Sequence, residues 1–77
     1  MIMSQNTNTN NSSTPQLDAN NLKVISDQLK YEATMNKKAS QYADTCTDQE
    51  LKNLCRNIAQ GHKQNYTDLL NYLNSHQ

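Results

Sequence analysis

Glu32 and His62 are the two ionisable side chains of this sequence that fall on otherwise apolar stripes. A carboxylate and an imidazole at one level of a helical bundle can share a proton, or each can bind zinc or another first-row metal. Two copies of such a pair would supply four ligands, the number that zinc takes. The plainer chemistry is a buried Glu–His hydrogen bond that sets helix register at some cost in stability. Ionisable residues in bundle seams serve specificity more often than catalysis, so the register pair is the expectation and metal ligation the alternative. His62 also follows the chain's single glycine, Gly61, inside a stretch that otherwise reads as an amphipathic helix.

Two helices must position this pair. Leu22, Ile25, Leu29, Glu32, Asn36, Ala39, Ala43 and Cys46 recur in three–four steps, the spacing of one helical face. Asp18 is placed to cap this helix, with Leu17 and Leu22 at the positions of a hydrophobic staple, so it should run over about 19–45. Thr47-Asp48-Gln49-Glu50 has the form of a capping box, with Thr47 as N-cap and Glu50 reaching back. A second helix is then expected over about 48–74, with Leu51, Leu54, Cys55, Ile58, His62, Asn65, Leu69, Tyr72 and Leu73 along its main stripe. So short a connection makes the helices antiparallel neighbours. Pairing about the turn sets Ala39 level with Cys55, Asn36 with Ile58, and Glu32 with His62.

Each helix carries more apolar surface than one packing face requires. Val24, Tyr31, Met35 and Tyr42 form a second stripe on the first helix, and Ala59, Tyr66 and Leu70 flank the seam on the second. The apolar arcs span roughly 160°, against about 100° for a single face. Tryptophan and phenylalanine are absent, and a domain this small seldom draws more than about 3–5 kcal/mol from its own core. The expected architecture is therefore all-α: a two-helix hairpin that pairs as a homodimeric four-helix bundle, with those seven residues at the dimer interface. A heteromeric partner supplying the missing helices is the alternative. Gly61, set opposite Ala33, should let the two helices approach closely; a local kink that aims His62 is the other use for it.

The remaining sequence mainly excludes. The chain has 77 residues and formal net charge zero, with no basic stripe for nucleic acid. No apolar run approaches a membrane span, and MIMSQNTNTN lacks the blocks of a signal peptide, so a cytoplasmic address is expected. Residues 1–17 are dominated by Asn, Gln, Ser and Thr and read as a disordered tail. Cys46 and Cys55 should lie with Cα atoms about 10 Å or more apart, too far for a bridge; Cys55 reads as a core residue, and Cys46 as able to join two molecules under oxidation. No nucleophile–base pair, phosphate loop or nucleotide-binding turn is visible, so no enzymatic activity and no cofactor are expected.

The run DQLKYEATMNKKASQYADTCTDQELKNLCRNIAQGHKQNYTDLLNYL resembles small ferritin-like helical hairpins of spore-forming clostridia, related to the coat protein F type. The likeness covers about residues 22–74. It rests on the glutamate of KYEA, the tyrosine of QYA, the D-x-E-L-K-x-L-C opening of helix 2 and the GHKQNY block. It implies half of a ferritin-like bundle and a spore-associated structural role. Ferritin-like di-iron proteins place a glutamate on one helix and Glu-x-x-His on its partner. Glu32 and His62 match two of those positions, but the residue three before His62 is Ala59. A dimer would offer two carboxylates rather than four, which argues against oxygen-activating chemistry and leaves a degenerate metal site or a structural descendant.

Overall fold

A computed structural model describes residues 17–76 of the chain. They form two antiparallel helices and, among the described residues, no strand: α1 spans Ala19–Thr45 and α2 spans Gln49–Ser75. Each has 27 residues, about 40 Å at 1.5 Å per residue. Residues 1–16 of the expected tail lie outside the described range. Asp18 caps α1, its Oδ1 accepting from the Asn21 amide at 2.7 Å. At the far end of α2 the Ser75 hydroxyl and the His76 ring nitrogen both donate to the Tyr72 carbonyl, at 2.9 and 2.7 Å. These bonds satisfy a carbonyl that the helix leaves open.

The turn differs from expectation by one residue. Asp48, not Thr47, is the N-cap of α2, and its Oδ1 accepts from the Leu51 amide at 2.8 Å. Glu50 therefore falls at the second helical position and cannot close a reciprocal box, although its charge still faces the positive end of the helix. A carboxylate on a short side chain caps better than a threonine hydroxyl, which explains the shift.

The seam between the helices is lined by small residues. The buried apolar side chains are Ile25, Ala39, Ala43 and Ala59, with Glu32 buried among them. Leu54, Ile58 and Tyr72, expected on the main seam, are instead about half exposed. The apolar arc of α2 is wider than one packing face, so more than one rotation could bury part of it. Two polar contacts select the observed rotation. Asn36 Nδ2 donates to the Ala59 carbonyl at 2.8 Å, and His62 bonds to Glu32. Both need that side of α2 turned inwards.

The consequence is an uneven molecule: among the described residues, seven exposed large apolar residues lie on one side and two, Leu22 and Leu70, on the other. At 3.6 residues per turn, Val24, Tyr31, Met35 and Tyr42 lie about a quarter turn from the α1 seam, as Leu54, Ile58, Asn65 and Tyr72 do from the α2 seam. Because the helices are antiparallel, these flanks fall on the same side of the hairpin. On that side Tyr31 meets the His62 ring edge-on, with centroids 6.0 Å apart. Exposure of the large apolar residues there runs from 48% (Tyr72) to 64% (Val24), a face left wet by the hairpin alone. A groove on the opposite side is lined by Ser40, Arg56, Gln60 and Lys63, with Ala33 and Tyr66, and is far more polar.

Candidate functional site

Glu32 projects from the middle of α1 into the seam and is only 5% exposed. Three side chains hold it. His62 Nδ1 lies 2.6 Å from Oε1, Gln28 Nε2 donates to Oε2 at 2.8 Å, and Asn65 Nδ2 reaches Oε1 at 3.4 Å. The hydrogen bond from His62, then that from Gln28, hold the carboxyl below its ordinary range; burial opposes this and Asn65 adds to it. An ionised carboxylate has no proton to give, so the Nδ1 of His62 carries the hydrogen and donates it.

The expected Glu32–His62 layer is thus present as a direct contact. Gln28 was not singled out in the sequence, although its position one turn before Glu32 is the signal for an i,i+4 partner. Asn36 makes its interhelical bond to the backbone of Ala59, one residue beyond the expected Ile58. As a metal donor set, one hairpin supplies one carboxylate and one imidazole, already bonded to each other. Among the described residues, no three or more His, Cys, Asp and Glu side chains gather elsewhere. A tetrahedral site would need the pairs of two chains.

The residues expected at a dimer interface separate into two groups. Val24, Tyr31 and Tyr42 lie exposed on the apolar face, with Met35 half-buried at its edge. Ala59 is inside the seam of its own hairpin, Tyr66 lines the polar groove, and Leu70, on the same flank by helical spacing, is exposed there. Leu51, Leu54, Ile58 and Tyr72 complete the apolar face. Periodicity alone places them on the seam, because it shows how wide an apolar arc is, not which half of it faces the neighbouring helix.

Gly61 does not have the role expected of it within the hairpin. A Cβ added there would meet nothing within 4 Å, so no close approach between α1 and α2 requires glycine. Its surface lies beside the apolar face, a third of a turn from His62. Cys46 and Cys55 are both free and half-buried. Burial, and then the neighbouring Cys55 thiol, push the Cys46 thiol above its ordinary value. Side chains tilt towards the N-terminus of their own helix, so Cys46 points up from the turn while Cys55 points down to it. A raised thiol is less often thiolate, which works against ready oxidative cross-linking at Cys46.

No described helix is long and apolar enough to cross a membrane. No family model, curated protein or solved structure matches the chain.

Proposed function

We propose that this chain is a non-enzymatic self-association module whose hairpin pairs with a second copy into a four-helix bundle. The observation that carries this is the one-sided apolar face, set against a seam whose buried apolar members are one isoleucine and three alanines. So small a core is a weak basis for independent stability. A face about 40 Å long and two helices wide offers roughly 700–800 Å², about what one partner contributes to a standard interface. Within that bundle Glu32 and His62 act as a register pair. They tie α1 to α2 at one height and make any slipped pairing leave a charge buried.

Sedimentation of the untagged chain tests this. The wild type should sediment as a dimer at micromolar concentration. Ile58→Asp, which puts a charge on the apolar face, should shift it to monomer, whereas Gln60→Asp on the polar side should not. A wild-type monomer, or equal effects from both substitutions, would contradict the proposal.

One observation favours a second reading, metal binding. Glu32 holds His62 through Nδ1 and leaves Nε2, the pattern in which a carboxylate orients a metal-binding imidazole. Two chains would bring two such imidazoles and two carboxylates to one bundle. Native mass spectra with added zinc should then show a metal-loaded dimer, and His62→Ala should abolish loading while the dimer mass persists. Unchanged metal content in that variant would dismiss this reading.

A further inference from the structure

The apolar face is patterned symmetrically along both helices, which bears on how a second copy would lie on it. On α1, Tyr31 and Met35 stand two residues either side of position 33, and Val24 and Tyr42 stand nine either side. On α2, Ile58 and Asn65, then Leu54 and Leu69, are placed symmetrically about the bond between Gly61 and His62. These two centres need not have any relation to each other. The hairpin register, set by the Glu32–His62 and Asn36–Ala59 contacts, puts position 33 level with residues 61 and 62. Both helices therefore set their flank positions symmetrically about one common layer, with Ile58 and Asn65 the one pair unlike in polarity.

A face of that kind matches a copy of itself turned end for end. We propose that two hairpins pair antiparallel, α1 lying over α1 and α2 over α2, with the twofold axis crossing the layer of Gly61 and His62. This rests on the self-association proposed above and specifies its geometry. Val24 then meets Tyr42 of the second copy, Tyr31 meets Met35, and Leu54 meets Leu69, so each large side chain faces an apolar partner at both ends of the face. Ile58 meets Asn65, the one mixed pair.

Gly61 acquires a reason in this arrangement. It lies next to the axis on the α2 flank that faces its own symmetry mate, and nothing in its own chain fills the space above it. The absence of a side chain lets the two α2 helices cross at the short end of the usual 8–10 Å range of axial separations. That offsets the helix-propensity penalty of glycine relative to alanine.

Charge at the outer edge of the face supports the same choice. Asp27 and Lys38 both lie on the outer edge of α1, at nearly equal distances from position 33. An end-for-end copy brings Lys38 over Asp27. The alternative twofold pairing lays α1 over α2 with the copies pointing the same way, and sets Asp27 against Asp68.

Cysteine cross-linking distinguishes the arrangements in the full chain. With Cys46→Ser and Cys55→Ser as background, Gly61→Cys should give a cross-linked dimer on mild oxidation. Val24→Cys alone should not, because its symmetry mate lies about 27 Å away along the bundle at 1.5 Å per residue. Val24→Cys combined with Tyr42→Cys should cross-link in near-complete yield. Native mass spectra of each reduced protein report separately whether it is dimeric. A reduced monomer in the wild-type and background chains would overturn the self-association reading itself. A reduced dimer in which Gly61→Cys stays uncross-linked, while Gly61→Cys combined with Met35→Cys closes, would overturn the antiparallel geometry alone.

Discussion

Glu32 is the residue on which the interior of this hairpin depends, because among the described residues it is the one charge taken out of water. His62 and Gln28 hold it ionised, so its folded pKa lies below that of the unfolded chain. The unfolded state therefore binds the proton more readily. The stabilisation is present above the ordinary carboxylate range and is lost as pH falls through the lowered folded value. Thermal melts followed by circular dichroism should show stability falling on the acid side, below about pH 5. Glu32→Gln should reduce that acid-side slope, keeping an amide that can still accept from His62. An unchanged slope in the variant would show that other carboxylates carry the acid response. The exposed Lys23–Asp27 pair, 2.7 Å apart one helical turn apart on α1, is a surface contact whose loss should matter little.

At the scale of the elements, the caps and the seam behave differently. Asp48→Ala removes the acceptor for the Leu51 amide and should destabilise the protein by about 1 kcal/mol, the usual size for a lost N-cap. Thr47→Ala should stay within about 0.5 kcal/mol, since its hydroxyl caps nothing. Chemical denaturation of both variants checks the pair, and the opposite order would mean that the helix starts at Asp48. The all-helical hairpin was legible in the sequence because its signals are local: unbroken three–four periodicity on both sides of a capping sequence too short for anything but an antiparallel return. The Glu32–His62 contact was legible from the same count, carried across the turn. The rotation of α2 was not. Leu54, Ile58 and Ala59 all belong to one apolar arc, and hydrogen bonding of Asn36 and Glu32 across the seam decides which of them is buried. The choice between Thr47 and Asp48 as cap was equally hidden, since both residue types cap and they are adjacent.

At the scale of the whole molecule, the seam and the face have divided the work. Alanines and a polar cluster hold α1 to α2 at a set height, and most of the bulky residues are left outside on one side, Val24, Tyr31, Tyr42, Leu51, Leu54, Ile58 and Tyr72, against Leu22 and Leu70 on the other. Burying that face on a second copy is the proposed function, and the symmetry of the stripes about the Gly61 layer gives the copy its direction. The most direct measurement is the native mass of the untagged chain, without added metal, across a dilution series. A dimer that dissociates only on strong dilution, and that Ile58→Asp converts to monomer, is expected from self-association through this face. A monomer at every concentration, folded and helical, would contradict it, because the hairpin would then be stable with its largest apolar residues in water.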